Sequence, residues 1–518
     1  MQVTKIDLKD TGSFSQFFLD YLDKKEELKP FFGLSPDIEN FEEQIRKKQF
    51  SDEKREVLGQ VLSDQYQDLT ISASLEENLS LLSKPNTFTI TTGHQLNIFT
   101  GPLYFIYKIA TAINACKSLK EKYPSYNFVP VYWMASEDHD FNEISYFNLF
   151  GKKHQWECDE KGAVGRMSTK GIHKILDDLS EHIPLFDKAY RENENLSDAV
   201  RCYVNELFGE HGLVAIDADE PRLKKQLSPV IKDDLINHTG HNAVKKTNTA
   251  LESLGYRTQI FPREINFFYL DKNQRERIVL ENGQYQVLNS DLKFSKEQII
   301  ELAEKSPEKF SPNVVLRPLY EEIILPNLAY IGGPAEVIYW LQLGDVFKQY
   351  DTVFPVLLPR NFGLYINGAA QKKLKKFELS DEELFKTEND LQADYLSKHG
   401  QSEMNLNGEL DDLKKVYNEL EKKALVVDGS LKGFIAAEHA KALKGLENVE
   451  KRLKKSEEQK HETALNQLAT LKGKLFPGGG LQERHDNFLN FYINNPKFID
   501  ELLENMDAFD IRMHVLCD

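Results

Sequence analysis

The run Thr87-Phe88-Thr89-Ile90-Thr91-Thr92-Gly93 decides the fold class of this 518-residue chain. Its β-branched residues and closing glycine predict a strand that ends in a turn. A long apolar helix is predicted next, from about Pro102 to Lys120, and a second β-rich run follows at Phe128–Met134. A strand, a polar turn, a helix and a further strand are typical of a parallel sheet with helical crossovers. The sequence therefore predicts an α/β core.

The same alternation continues as far as residue 366. Further strands are predicted at Leu213–Ile216, Asn266–Leu270, Val314–Leu316 and Val353–Leu358. Helices are predicted between them, near 197–208, 221–236, 296–304 and 335–347. Short alternating segments with turn residues lie at 143–168 and 258–290, and we interpret them as insertions that decorate the sheet.

Residues 370–474 have a different character, with almost no Pro and many Lys, Glu and Leu. Apolar residues at 442, 446, 449 and 453 keep 3,4 spacing, and the pattern resumes after a four-residue offset at Lys460. This offset resembles a stutter in a coiled coil. The seam is weak, which favours a helical hairpin that packs on itself or on a second subunit. The segment ends at Pro477-Gly478-Gly479-Gly480, a strong break.

Four segments are therefore predicted along the chain. They are an N-terminal helical segment packing on the core (1–85), a catalytic core with insertions near 143–170 and 240–310 (86–366), an α-helical coiled-coil domain (367–476), and a C-terminal helical segment that returns to the core (477–518).

The composition argues against several classes of protein. A net charge of −17 disfavours broad binding to nucleic acid or a membrane surface, since both need a basic face, but it leaves room for phosphate in a local pocket. The four cysteines are scattered without a Cys/His cluster, so neither a disulfide framework nor a structural metal is predicted. The N-terminal residues lack a signal-peptide pattern, and no apolar run approaches the roughly 20 residues of a membrane helix. We expect a cytoplasmic protein that binds neither nucleic acid nor membranes.

The first candidate site is the turn that follows the first strand. Ligands of open parallel sheets collect at the carboxyl ends of strands, and free N–H groups at a helix start can receive an anion. The residues that converge there are Thr92, Gly93, His94, Gln95, Gly101 and Lys108. They predict a phosphate site; the structural alternative is a tight turn whose histidine caps the helix.

The second candidate site is the acidic cluster after the second strand, Glu137-Asp138-His139-Asp140. Four ionisable groups at the end of a buried strand should have perturbed pKa values, which suits general acid–base work or recognition of an amine. A metal site is a weaker interpretation, because adjacent residues on an extended segment point to alternate faces. A hydrogen-bonded structural turn is the remaining alternative.

Two further glycine-containing segments could bind anions. Gly332-Gly333 precedes a predicted helix, and Arg317 upstream could bind a carboxylate or phosphate with two hydrogen bonds, or else pair with Glu321. The glycines at 478–480, just before Arg484, could form an anion nest or a hinge, and we favour the hinge.

These motifs together resemble the BshC family, the cysteine ligases of bacillithiol biosynthesis. The similar segments are 92–108, 129–141, 317–320, 325–334, 358–361 and 475–484. Order and spacing agree over nearly the whole chain. Position 94 is often Gln in the family and is His here, which favours Gly93 and Gln95 as the general feature of the turn.

The resemblance implies a Rossmann-like core with inserted connecting segments and a coiled-coil domain that forms a homodimer. It implies addition of cysteine to glucosaminyl-malate with amide formation, after activation of the carboxylate by ATP. On this basis ATP/ADP is the expected cofactor, with Mg²⁺ as a further candidate. The expected catalytic residues are Asp138, His139 and Asp140; the expected cofactor-binding residues are Thr92, Gly93, His94, Gln95, Gly101, Lys108, Gly332, Gly333 and Arg484; the expected substrate-binding residues are Glu137, Arg317, Asn327 and Arg360.

Two other functions stay open at this point. One is a class I synthetase-like ligase or nucleotidyl-transfer enzyme that uses another amine acceptor. The other is a non-catalytic scaffold of the pathway that acts through its coiled coil. Polar turns clustered at strand ends favour an enzyme, because a scaffold does not need them.

Overall fold

The structure is a computed structural model that describes residues 1–400 and 406–518. It divides into two units: Met1–Tyr365 together with Gly480–Asp518, and Ile366–Gly479. The predicted coiled-coil range 367–476 includes residues 401–405, which lie outside the described residues. No helix of the described residues is long and apolar enough to cross a membrane.

The strands are, in chain order, β1 Gln2–Ile6, β2 Thr87–His94, β3 Asn127–Met134, β4 Tyr146–Leu149, β5 Lys152–Gln155, β6 Val214–Asp217, β7 Phe267–Asp271, β8 Gln274–Glu281, β9 Gln284–Val287, β10 Lys293–Phe294, β11 Phe310–Pro312, β12 Asn327–Gly332, β13 Val356–Pro359, β14 Phe362–Ile366 and β15 Met513–Cys517.

The α-helices are α1 Gln16–Leu22, α2 Phe41–Lys47, α3 Asp52–Tyr66, α4 Ala73–Leu81, α5 Tyr104–Lys122, α6 Phe141–Ile144, α7 His173–Asp178, α8 Pro184–Glu192, α9 Leu196–Phe208, α10 Pro221–Lys225, α11 Ser228–Asn237, α12 Thr239–Ser253, α13 Lys296–Lys305, α14 Arg317–Ile324, α15 Pro334–Trp340, α16 Gly344–Gln349, α17 Gly368–Phe377, α18 Glu388–His399, α19 Asn407–Val427, α20 Leu431–Lys460, α21 Glu462–Leu475, α22 Leu489–Tyr492 and α23 Phe498–Asn505.

The core of the first unit is a five-stranded parallel sheet in the order β13-β12-β2-β3-β6. Strands β3 and β12 are almost completely buried, which explains why they consist of continuous apolar runs without alternation. The crossover helix α5 is buried on most of its surface, and it ends with Lys120 and Lys122 in its last turn, where cations are favoured. The chain progresses outward from β2 to β3 and β6, and in the opposite direction from β12 to β13. The switch between the two directions lies between β2 and β12.

An antiparallel sheet in the order β10-β9-β8-β7-β11 forms the larger insertion. Asn266–Leu270, predicted as a strand, contributes to this sheet as β7. The predicted strand Val314–Leu316 is wrong, because these residues form a turn into α14. The Asn313 side chain accepts from the Val315 amide and holds that turn, and Pro318 fits the first helical turn.

The two end segments contain strands that the helical predictions missed. β1 pairs antiparallel with β15, and the three-stranded sheet has the order β1-β15-β14. Short strands at the edges of a chain give little periodic signal in the sequence. Helices α1 to α4, α22 and α23 fit the helical character predicted for the rest of these segments.

The second unit is built from α17 to α21. Helices α19 and α20 form a hairpin in which the rings of Tyr417 and His439 stack 4.8 Å apart. The predicted offset at Lys460 is the end of α20, and α21 begins at Glu462. Several large apolar side chains of the hairpin are solvent-exposed, among them Leu420 (41%) and Leu453 (41%).

Candidate active site

A cavity of about 1090 Å³ lies at the carboxyl ends of β2, β3 and β12. Its wall combines the end of β2 with the residue after it (Gly93 to Gln95), the start of α15 with the glycine before it (Gly333 to Glu336), and residues of the antiparallel insertion. The cavity therefore occupies the switch point of the sheet, which is where ligands of open α/β sheets bind.

The wall carries more basic than acidic groups. The basic residues are Lys108, Arg263, Arg275, Arg277, Arg317, Arg360 and Arg484, and the acidic residues are Asp138, Asp140, Glu143, Glu321 and Glu336. This excess of cations, in a chain whose net charge is −17, favours an anionic ligand.

Lys108 joins the two turns of the switch point. Its Nζ donates to the Gly93 carbonyl oxygen at 2.6 Å and to Glu336 Oε1 at 2.8 Å. The Tyr330 hydroxyl also donates to Glu336 Oε1, at 2.9 Å. Burial lowers the pKa of Lys108, and the Glu336 carboxylate opposes this effect. Lys108 therefore fixes the geometry of the switch point while it forms part of the cavity wall.

At each of the two predicted anion-binding helix starts, one amide is already engaged by the protein. The amide of Leu103, just before α5, donates to the Asp486 carbonyl oxygen at 2.7 Å. The amide of Gly333, just before α15, donates to Glu336 Oε2 at 2.7 Å. An amide has one proton to donate, so these groups are engaged by the protein itself. These two amides are therefore not free to bind an anion.

Three predicted cofactor-binding residues lie outside the cavity wall. Thr92 is buried and donates to the Ile331 carbonyl oxygen in the sheet. Gly332 pairs with Pro359 in the neighbouring strand. Gly101 has φ +64°, and a Cβ there would lie 2.5 Å from Asn97, so this glycine serves close packing.

Two predicted substrate-binding residues also point away from the cavity. Asn327 accepts from Thr91 and donates to Glu322, all three being buried. Glu137 forms a buried ion pair with Lys224. The cluster 137–140 is thus divided, since Glu137 faces the interior while Asp138, His139 and Asp140 line the cavity.

His94 lines the cavity as a neutral ring. It packs against Tyr104 and Phe105, with ring centroids 5.3 and 5.1 Å away. Burial, reinforced by the Lys108 charge, lowers its pKa well below the usual range. Its buried Nε2 has no hydrogen-bond partner, so the ring does not cap α5.

Gln95 connects the two sequence motifs across the cavity. Its Nε2 donates to Asp138 Oδ2 at 3.2 Å and to Glu143 Oε2 at 2.7 Å. Asp138 also lies 3.6 Å from Arg275 and 4.0 Å from Arg317. Burial would raise the pKa of Asp138, but Arg317 and Arg275 outweigh it and the pKa is lowered. Asp138 is therefore an ionised carboxylate that orients its neighbours.

Arg275 decides the tautomer of His139. Its Nη1 lies 2.6 Å from His139 Nδ1, and because arginine has only donors, Nδ1 must accept and the ring proton resides on Nε2. Burial and the Arg275 charge lower the pKa of His139. At neutral pH His139 can therefore donate from Nε2 but has no free nitrogen to take up a proton. Asp140, which is exposed at the cavity, and Asp138 remain the candidates for a general base.

Arg360 and Arg484 bring the segment after β13 and the C-terminal segment to the cavity. Arg360 is 2% exposed and pairs with the fully buried Glu483 at 2.5 Å. Both guanidinium groups lie near the Tyr104 ring, at 5.2 and 6.0 Å from its centroid. The buried Nε of Arg360 has no hydrogen-bond partner.

Several wall residues escaped the sequence analysis. Arg263, Arg275 and Arg277 belong to the insertion, whose alternating pattern gave no reason to place it over the cavity. Glu336 lies three residues after Gly333, and this spacing indicates a helix cap that could have been recognised. Among the described residues, no cluster of three or more His, Cys, Asp or Glu side chains is placed to hold a metal ion.

A parallel sheet with an arginine-lined cavity and acid–base groups at its switch point is typical of an α/β enzyme. The chain belongs to the BshC family: the family model described as "Bacillithiol biosynthesis BshC, N-terminal Rossmann-like domain" matches residues 1–361, and "Bacillithiol biosynthesis BshC, C-terminal coiled-coil domain" matches residues 363–517.

Curated relatives agree over the full length. Proteins named "Putative cysteine ligase BshC" are 45% identical in Flavobacterium psychrophilum (94% of each chain) and 43% identical in Flavobacterium johnsoniae (99% of each chain). The Bacillus cereus relative of the same name is 27% identical over 100% of both chains. These matches confirm the predicted family, the Rossmann-like and coiled-coil fold class, and the ligase class of enzyme.

Proposed function

We propose that this chain joins cysteine to glucosaminyl-malate through an amide bond in bacillithiol biosynthesis. The observation that carries the proposal is the cavity wall, in which six arginines line the same cavity as the Asp138–Asp140 loop. Glucosaminyl-malate carries carboxylates that suit arginine, and an amine that must lose a proton before it can attack. Cysteine is proposed as the second substrate because the curated relatives are named cysteine ligases.

The residues have separable roles in this proposal. Arg275 and Arg317 are close enough to Asp138 to position the loop. Arg317 is the more exposed of the two, with 25% of its side chain accessible against 2% for Arg275, and it would bind a substrate carboxylate on the same side of the cavity. Asp140 or Asp138 takes the proton of the attacking amine, and His139 donates a hydrogen bond from Nε2. A ligand group that is held this way reacts faster because the reacting atoms are oriented in advance.

Formation of an amide from a free carboxylate needs activation, and we propose ATP as its source. The wall fits a polyphosphate, because Arg263, Arg277, Arg360 and Arg484 add positive charge, and the buried Nε of Arg360 is unpartnered. Bound there, the nucleotide would supply the phosphoryl or adenylyl group that activates the carboxylate. Mg²⁺ dependence and a cytoplasmic location stay predictions.

We also propose that the protein is a homodimer formed through the second unit. In support, apolar side chains of α19 and α20 are exposed in the single chain, including Val416 (55%) and Val449 (48%). Exposed apolar stripes on paired helices are favourable only when a further helix covers them.

Thiol profiling of cells lacking the gene tests the function. We expect glucosaminyl-malate to accumulate and bacillithiol to be absent, with restoration by the wild-type gene. Arg317→Gln and Asp140→Asn should restore little. Normal bacillithiol in the deletion strain would refute the ligase, and restoration by every cavity variant would favour the scaffold instead.

A further inference from the structure

Glu321 is a buried carboxyl group in the cavity wall without a counter-charge. It lies one turn after Arg317 on α14 and is 3% exposed. Its Oε1 atom is buried and has no hydrogen-bond partner. Arg317 itself points to Asp138. A buried carboxyl in this state is costly unless it is protonated or meets a cation.

The lysines near Glu321 are engaged by other carboxylates. Lys48 Nζ lies 2.5 Å from Glu322 Oε2, and that carboxylate also accepts from Asn327 at 2.6 Å. Lys108 is paired with Glu336. Each of these lysines therefore already has a charged partner, and its electrostatic attraction to Glu321 acts without a direct ion pair.

The charged groups around Glu321 favour its neutral form. Burial is the main cause, and the Glu322 and Glu336 charges add to it, while Lys48 and Lys108 oppose it. Together they raise the pKa of Glu321 well above its usual range. Burial and the neighbouring carboxylates thus favour the protonated form of Glu321 in the free protein.

Aromatic rings line the cavity around this acid. Tyr330 and Trp340 are stacked 4.5 Å apart, and Tyr339 precedes Trp340 on α15. All three line the same cavity as Glu321. Burial is the main cause that raises the pKa of Tyr330 and of Tyr339, and the charges of Glu336 and Glu321 add to it. Aromatic faces attract cations, and more strongly when water is excluded.

We infer that Glu321, with the rings of Tyr330, Tyr339 and Trp340, forms a subsite for the primary ammonium group of a substrate. The ammonium supplies the missing counter-charge. On binding, the O–H bond of the Glu321 acid breaks, its proton passes to solvent, and the carboxylate accepts hydrogen bonds from the ammonium. The inference rests on the proposed function, in which both cysteine and glucosaminyl-malate carry a primary amine.

Calorimetric titration of the full-length protein tests the subsite. Cysteine and glucosaminyl-malate are each compared with an analogue lacking the amine, 3-mercaptopropionate and glucosyl-malate, in two buffers of different ionisation enthalpy. The proteins are wild type, Glu321→Gln and, as a matched control, Glu143→Gln, which removes a carboxylate of the same wall that is bonded to Gln95. Glutamine mimics the neutral acid, so Glu321→Gln should fold.

One of the two amines should release about one proton on binding to wild type and none on binding to Glu321→Gln. Its affinity should fall about tenfold or more in Glu321→Gln, with the analogue unaffected. Glu143→Gln should release the proton as wild type does. The amine that responds identifies the substrate in the subsite. Equal losses for amine and analogue, or no proton release from wild type, would overturn the inference.

Failure of the proposed function gives a different result. If neither substrate binds to wild type, the function is refuted, and methylammonium then tests the subsite alone. Proton release with wild type and none with Glu321→Gln would support the subsite. An identical response of the two proteins would overturn it.

Discussion

Replacing Lys224 by Met should destabilise the protein strongly and in a pH-dependent manner. The Lys224 ammonium is fully buried and pairs with Glu137 and, at 3.1 Å, with Asp219. Asp219 keeps a second partner in Arg166, with contacts of 2.7 and 2.9 Å. After the substitution, Glu137 is the carboxyl left without a counter-charge, so it must take up a proton to remain buried.

The cost follows from this proton uptake. A glutamate has a pKa of about 4.3 in the unfolded chain, so keeping it protonated at pH 7.5 costs about 4 kcal/mol, and at pH 5.5 only about 1.6 kcal/mol. The loss at pH 7.5 corresponds to a fall in melting temperature of roughly 5–10 °C for a unit of this size. Lys225→Met is the control, because Lys225 is exposed and we expect a change of about 0.5 kcal/mol or less.

Tryptophan fluorescence during heating is a suitable measurement. The three tryptophans, Trp133, Trp156 and Trp340, are buried in the first unit, so the signal reports the unit that contains Lys224. The difference between wild type and Lys224→Met should shrink as the pH is lowered from 7.5 to 5.5. A difference that is small at pH 7.5, or that is the same at both pH values, would refute the reasoning.

Three more predictions follow from the described contacts. Burial raises the pKa of Asp234 to about 6, so the contribution of its protonated form to stability is complete below pH 4 and is lost as the pH rises through 6. The melting temperature of Asp234→Asn, measured relative to that of wild type, should therefore rise between pH 4 and pH 6. A difference in melting temperature that does not depend on pH would contradict this. Arg275→Gln removes the positive charge beside His139, so the pKa of His139 should rise in an NMR titration; an unchanged value would show that Arg275 does not set its protonation. Leu420→Glu and Leu453→Glu place charges on exposed apolar positions of α19 and α20 and should halve the mass measured by light scattering; an unchanged dimer mass would exclude this surface.

The parallel sheet could be predicted from the sequence because the residues within β2 and within β3 are themselves typical of strands. Both are β-rich runs of eight residues that end in a polar turn, and the turns meet because parallel strands finish at the same edge. By contrast, β1 and β15 are five residues long and find their partner at the other end of the chain, which a local pattern cannot reveal. The strand predicted at Val314–Leu316 was wrong for a related reason, since an apolar run of three residues suits a buried turn as well as a strand.

Within the candidate site, the sequence indicated which residues line the cavity better than it indicated what each residue does there. Gly93, Gln95, Asp138 and Arg317 do meet in the cavity. The sequence did not predict that the Glu336 carboxylate accepts from the Gly333 amide, because this hydrogen bond depends on the side-chain conformation of Glu336. The raised pKa of Glu321 could not be predicted from the sequence either, because it depends on the pairing of Lys48 with Glu322 and of Lys108 with Glu336.

The order β1-β15-β14 has a consequence for synthesis on the ribosome. The middle strand of this sheet, β15, is the last to be translated. Strand β14 therefore stays unpaired while the roughly 150 residues between it and β15 are synthesised, which takes about 7–30 s at bacterial elongation rates. β1 waits longer still. During this interval the nascent chain exposes the unpaired edges of β1 and β14, which makes it a substrate for chaperones that bind extended segments. A circular permutant that joins residues 2 and 517 by a short linker would make β1 and β15 a local hairpin and should shorten this vulnerable period.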